Sequence, residues 1–138
     1  MSKPGIEGGS TAIAVSGLQA QKKRIQLLAE NIANANSTAR TAGGEPYRRQ
    51  IPVFKVEELG DGKGVALSGV RLDPKPFPQA YDPGHPGANA AGYVLLPNVN
   101  SLAESLDLKQ AMRAYEANLN VLENQDAMDA STLSILKK

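Results

Sequence analysis

The sequence predicts a mainly α protein. An N-terminal and a C-terminal helix pair as an elongated, coiled-coil-like hairpin, and a small β-rich or irregular lobe, rich in Pro and Gly, lies between them. Three observations point there. Eight of the nine prolines fall between Pro46 and Pro97, and no glycine follows Gly92. The stretches Ser10–Asn34 and Ser101–Leu136 contain no proline, and the second contains no glycine. Both carry apolar residues at helical spacing. A helix at each end of a broken middle brings the termini together, and the middle is expected to stand off as its own lobe. The implied division is an N-terminal helical arm (1–36), a middle lobe (37–100) and a C-terminal helical arm (101–138), the two arms forming one helical domain.

The Gly-rich start, Met1–Gly9, is expected to be mobile until bound, with Ser10 or Thr11 capping the first helix. Leu18, Ile25 and Ile32 then form a heptad row with Leu28 alongside. Lys22-Lys23-Arg24 is a basic cluster, read as a solvated face that could also meet acidic neighbours. Asn34–Arg49 is a loop punctuated by Gly43-Gly44-Glu45-Pro46. Ile51–Val56 and Gly64–Leu72 read as short strands, with Gly60-Asp61-Gly62 as the hairpin turn. Alternating prolines make Asp73–Pro78 stiff and extended, because each proline bars its predecessor from the helical region. Tyr81–Gly84 is a turn, and Gly92–Leu96 offers a third strand.

Ser101-Leu102-Ala103-Glu104 fits a capping box, in which the hydroxyl and the carboxylate each satisfy a free amide. From there Leu108, Met112, Tyr115, Leu119 and Leu122 form a heptad seam. The seam meets Asp126 and Asp129, so the apolar stripe is expected to shift face through Met128 toward Leu133 and Leu136.

Net charge is +1, from 15 basic and 14 acidic residues, which excludes the basic excess that non-specific nucleic-acid binding requires. Residues 1–50 carry seven Lys/Arg against three Glu, and residues 101–138 carry four basic against six acidic, so the ends attract weakly. No cysteine is present, which removes disulfides and thiolate metal sites. No apolar run is long enough to span a bilayer, so no membrane insertion is expected. Thr11–Leu18 faintly imitates a secretory signal, but it is short and broken by Ser16 and Gly17, so no cleaved signal is expected.

Catalytic chemistry has little to work with. The lone histidine, His85, sits in a Pro-rich turn and reads as structural or solvent-facing. Without cysteine, and with one histidine, no nucleophile–His–acid set stands out. Glu123, Asp126 and Asp129 share a helical face that reads as hydrated, not as a cation site. Gly60-Asp61-Gly62-Lys63-Gly64 lacks phosphate-loop spacing. No enzyme activity, cofactor or metal is expected. Two helices alone cannot bury both apolar stripes, so the ends are expected to order fully only on assembly.

Several blocks then resemble a known family. Asn31-Ile32-Ala33-Asn34 followed by Asn36-Ser37-Thr38 is similar to the N-terminal signature of the bacterial flagellar rod and hook axial proteins. Gly44-Glu45-Pro46-Tyr47-Arg48-Arg49, Tyr81–Pro86, Gly92–Asn100 and Arg113-Ala114-Tyr115-Glu116-Ala117-Asn118 follow in family order across nearly the whole chain. The short middle lobe resembles the proximal-rod branch, since distal-rod and hook relatives carry larger inserts. His85 and Gly87 depart from the pattern, where Asn and a larger residue are expected.

The resemblance implies a non-catalytic subunit of the basal-body rod, in the periplasm-spanning part of the flagellum. It implies passage through the flagellar type III export apparatus without a cleaved signal, and polymerisation of the terminal helices into the drive shaft for motility. Partners would be copies of itself and other rod proteins, with no nucleic acid. Asn31 and Asn34 would satisfy carbonyls at the helix end or bond a neighbouring helix. Tyr115 would pack on the first helix beside Met112, Leu119 and Leu122, and Asn118 would fix register. Tyr47, Arg48 and Arg49 would pin their loop against a neighbour. The rival readings are a helical-hairpin adaptor that binds one partner without polymerising, and a subunit of another type III secretion axial structure.

Overall fold

The computed structural model describes residues 4–136. Helix α1 spans Pro4–Ala33 and helix α2 spans Ser101–Leu136. Between them lie strands β1 (Gln50–Leu59), β2 (Gly62–Leu72), β3 (Gln79–Tyr81) and β4 (Tyr93–Leu95).

Helix α1 begins earlier than the caps at Ser10 or Thr11 imply. It starts at Pro4, whose preset φ and missing N–H suit the first helical position. Gly5, Gly8 and Gly9 are therefore helical, although each glycine costs about 1 kcal/mol relative to alanine. The expectation of mobility at Met1, Ser2 and Lys3 lies outside the described residues. At the other end Asn34 closes the helix. Its backbone N–H and its side-chain Nδ2 both donate to Glu30 O, at 3.0 and 2.9 Å.

Helix α2 starts where expected, but the cap is different. Asn100 Oδ1 accepts from Leu102 N–H at 3.1 Å and Ala103 N–H at 3.2 Å. Asn is among the strongest N-caps, and with it in that role Glu104 moves one position further into the helix. The Ser101–Glu104 capping box is thus not formed, and the Glu104 carboxylate turns inward.

The two helices run antiparallel. Asn31 bonds Glu104 at one level, and Gly17 faces the Asn118 amide at another. Both pairs sum to the same number, so α1 residue n lies opposite α2 residue ~135 − n over two heptads. Along α2 the buried and half-buried positions include Glu104, Leu108, Ala111, Tyr115, Asn118, Leu122 and Gln125 at heptad steps, with Ser105, Asp107, Ala114 and Leu119 half-buried beside them. The heptad spacing is present, but its register at one position corrects the sequence reading. Ala111 is fully buried, while Met112 is 47% exposed. Small residues such as Ala111 and Gly17 let the two backbones approach closely. Beyond Gln125 the expected shift of face buries nothing among the described residues: Met128, Leu133, Ile135 and Leu136 are all exposed.

Strands β1 and β2 pair antiparallel through a two-residue turn at Gly60-Asp61, with a register shift between Val53 and Phe54. Gly60 takes φ +62°, the left-handed setting that a hairpin turn with glycine in its first position needs. The strand at Tyr93–Leu95 does not join this hairpin. It pairs with β3 in a separate two-stranded sheet, where Tyr81 meets Tyr93 edge-on at 5.4 Å.

The long hairpin does not stand clear of the helices. It docks on α1: Val65 N–H donates to Ser16 Oγ at 3.2 Å, and Gly62 packs against Ile13. Gly64 is buried at this contact, where an added Cβ would stand 2.5 Å from both Ser16 Oγ and Leu59 Cδ1. Among the described residues the buried apolar core is Leu27, Leu28, Val94 and Ala111, matched by the buried polar residues Ser16, Asn31, Asp73 and Glu104. Polar contacts therefore hold the junction between the helices and the middle segment.

Candidate functional site

The buried polar residues converge at one place, where the end of α1, the start of β1, the start of α2 and the Pro-rich segment meet. Asn31 is 1% exposed and its amide is fully used. Its Oδ1 accepts from Tyr47 Oη–H at 2.7 Å and from Gln50 N–H at 3.0 Å. Its Nδ2 donates to Gln50 O at 2.9 Å and to Glu104 Oε2 at 3.3 Å. One side chain thus ties α1 to the Tyr47 loop, to β1 and to α2.

Glu104 is 2% exposed and gives its other oxygen to Arg49 Nε. The Arg49 guanidinium reaches on to Asp73 Oδ2 at 3.1 Å. The Asp73 N–H donates to Arg49 O at 2.9 Å, and Arg49 N–H donates to Asn98 Oδ1 at 2.7 Å. Asn98 Nδ2 in turn donates to Asp73 O and Lys75 O, both at 3.0 Å. Arg48 Nη1 donates to the same two carbonyls at 2.8 and 3.1 Å, and its guanidinium lies over the Phe77 ring, 4.1 Å from the centroid.

A buried carboxylate needs this pairing, because an unpaired charge in a poorly hydrated site costs several kcal/mol. Two carboxylates share one guanidinium here. Burial works to lower the Arg49 pKa, but the hydrogen bond and charge of Glu104, then those of Asp73, outweigh it and leave it raised. The Lys75 N–H on Asp73 Oδ1, followed by Arg49, holds the Asp73 carboxyl below its ordinary value against the opposing pull of burial. Burial, with the nearby charges of Glu30 and Glu104, pushes the Tyr47 phenol up.

A second, smaller clasp joins the loop after α1 to the turn before β4. His85 is half-buried. Its Nδ1 accepts from Gly87 N–H at 2.9 Å, so Nε2 carries the proton of the neutral ring and faces Thr38 Oγ1 at 2.9 Å. Gly87 lies so close to Ala39 that an added Cβ would stand 2.5 Å from Ala39 O. His85 and Gly87, the two departures from the family pattern, therefore form one contact.

The hydrogen bonds of the junction tie Asn31, Glu104, Arg49, Asp73 and Asn98 to one another and to the backbone of β1 and the Pro-rich segment, so the arrangement fixes geometry. Among the described residues no cluster of His, Cys, Asp or Glu could hold a metal ion, and no helix is long and apolar enough to cross a membrane.

The sequence-selected residues separate into two groups. Asn31, Tyr47, Arg48 and Arg49 meet in the junction, and Asn34 caps α1 beside it, accepting from Ser37 Oγ at 3.0 Å. Leu28 is buried between the helices, while Leu18, Ile25, Ile32, Tyr115, Asn118, Leu119 and Leu122 are half-buried along them and Met112 is exposed. Sequence reasoning missed Asp73, Asn98 and the junction role of Glu104. Asp73 reads as the start of a Pro-rich stretch, and Glu104 matches a capping box. Neither signal reports a partner more than twenty residues away.

Along α2, large apolar side chains are open to solvent. Leu102, Leu106, Val121, Met128 and Ile135 are 58–74% exposed, and Val121 borders the groove between α2, α1 and β2.

Comparison with known proteins places these features. The family profile described as "Flagella basal body rod protein" matches residues 12–40, and that described as "Flagellar basal body rod FlgEFG protein C-terminal" matches residues 90–135. Among curated relatives, the flagellar basal-body rod protein FlgC of Agrobacterium fabrum is 40% identical over 130 residues, covering 93% of this chain and 94% of its own length. FlgC of Borreliella burgdorferi is 39% identical, covering 93% of this chain and 96% of its own length. FlgC of Salmonella typhimurium is also 39% identical, covering 89% and 92%.

Proposed function

The chain belongs to the FlgC family of flagellar basal-body rod proteins, and from that premise we propose that its paired terminal helices polymerise into the proximal part of the drive shaft. It is a structural subunit of the rod and not an enzyme. The helices of the two arms (1–36 and 101–138) form a coiled-coil-like inner layer, and residues 37–100 pack outside it. Copies of the same chain and other rod proteins are the neighbours. The subunit reaches the rod through the flagellar export apparatus without loss of a leader.

The exposed apolar side chains of α2 support this reading. Five large side chains at 58–74% exposure on one helix are a liability for an isolated subunit and an asset at an interface. Each would contribute about 1.5–3 kcal/mol if a neighbour buried it fully. The assembly candidates on the inner faces, Leu18, Ile25, Leu28, Ile32, Tyr115, Asn118, Leu119 and Leu122, then set the spacing of the hairpin that neighbours meet, and the exposed Met112 is left to a neighbour. Asn34, Tyr47, Arg48 and Arg49, with Asn31, hold the lobe at a fixed angle to it.

Analytical ultracentrifugation of the purified chain, alone and with other rod proteins, tests the proposal. A sedimenting ladder or filaments is the expected outcome. Discrete one-to-one complexes that never grow would favour the non-polymerising adaptor.

A further inference from the structure

The pairing register of the two helices holds Lys22 and Lys23 of α1 away from Glu123 and Asp126 of α2. Lys22 and Lys23 are exposed on α1. On α2 the stretch from Ala114 to Leu136 carries Glu116, Glu123, Asp126 and Asp129 and no basic residue. All four are exposed, and among the described residues none of these six groups takes part in an ion pair. The Asn31–Glu104 and Gly17–Asn118 contacts place Lys23 level with Met112 and Glu123 level with Ala12. Lys23 and Glu123 are therefore offset by about eleven residues, ~16 Å along the hairpin at the helical rise. A lysine side chain cannot reach that far, so Lys22 and Lys23 cannot pair with Glu123 or Asp126 of their own subunit.

We infer that a second copy of this chain does so: Lys22 and Lys23 of one copy dock against the Glu123 and Asp126 region of α2 of the next, shifted along the hairpin by about 16 Å. The inference rests on the polymerisation reading and adds its partner surface and stagger. The acidic half of α2 also carries exposed Val121, Met128 and Ile135. These lie a third of a turn or more round the helix from Glu123 and Asp126, so charge selects and aligns this contact and the apolar side chains remain for a further neighbour. The contact is heterologous: a patch on α1 meets a different patch on α2, and each copy leaves one of each unused. Such a contact does not close on itself as a two-fold dimer does, and repetition with an axial shift produces an open helix.

Charge reversal with mixing tests this. Variant one carries Lys22→Glu and Lys23→Glu. Variant two carries Glu123→Lys and Asp126→Lys. All four positions are exposed, so both variants should keep the wild-type circular dichroism spectrum at low concentration. Each alone should need about tenfold more protein to sediment as assembled material at ~0.1 M salt, because like charges then face each other. An equimolar mixture should assemble near the wild-type concentration, since every contact in an alternating polymer is again opposite in charge. Pairing within one subunit predicts no recovery on mixing, and that result overturns the inference. Variants that assemble like wild type overturn it as well and leave polymerisation intact. A wild-type chain that never associates, alone or with rod partners, overturns the polymerisation reading and this inference together.

Discussion

Replacing Asn31 with alanine should damage the subunit far more than any other amide substitution in α1. The side chain is 1% exposed and makes four hydrogen bonds, to Tyr47 Oη, Gln50 N, Gln50 O and Glu104 Oε2. Truncation strands all four partners. A stranded buried group costs about 1–3 kcal/mol, but Tyr47 and Gln50 are half-buried and recover some water. Glu104, at 2% exposure, does not. The sum is a loss of about 3–4 kcal/mol. Urea unfolding of the dilute chain, followed by near-ultraviolet tyrosine dichroism, reads this as a lower midpoint at unchanged slope. Asn34→Ala is the internal control: its amide is more exposed and bonds Glu30 O and Ser37, so its loss should stay near 1 kcal/mol or below. Equal, small losses for the two variants would refute the claim that Asn31 is the keystone of the junction.

The remaining predictions follow from the same geometry. Arg49→Ala leaves Glu104 buried and unpaired and should destabilise by about 3 kcal/mol, with Arg49→Lys recovering only part, since one ammonium cannot span Glu104 and Asp73; urea midpoints check both. The Asp73 pKa is lowered on folding, so its contribution is full above the ordinary aspartate value of about 3.9 and is lost as pH falls through and below it; Asp73→Asn should flatten the acid limb of a stability–pH curve. The Tyr47 pKa is raised, so its contribution is full below about 10 and is lost as pH rises beyond that; Tyr47→Phe should flatten the alkaline limb. Gly64→Ala forces a methyl against Ser16 and Leu59 and should loosen the hairpin from α1 at a cost of about 1–3 kcal/mol, seen as faster amide exchange at Val65.

The architecture was legible in the sequence wherever a local rule governs it. Proline and glycine placement marked both helices and the broken middle, and Gly60-Asp61 marked the turn. Local rules also produced the errors. Ser101-Leu102-Ala103-Glu104 satisfies the capping-box pattern, yet Asn100 caps and Glu104 instead serves Arg49, because a long-range ion pair outbids a local bond that water can replace. Met112 is the larger apolar residue, yet Ala111 enters the seam, because close helix approach rewards small side chains. Of the junction, Asn31, Tyr47 and Arg49 stood out by resemblance. Asp73 and Asn98 did not, since their partners lie about twenty-five and fifty residues away and nothing in their neighbourhood signals them.

The structure divides labour along the hairpin. At one end a polar junction ties helices and lobe together within the subunit. At the other, α2 is acidic and studded with exposed apolar side chains. Sedimentation velocity and far-ultraviolet dichroism across one dilution series test this division most directly. Helicity should rise with concentration, in step with a growing ladder of sedimenting species. A single monomeric boundary with full, cooperative helicity at every dilution, unchanged by other rod proteins, would contradict it.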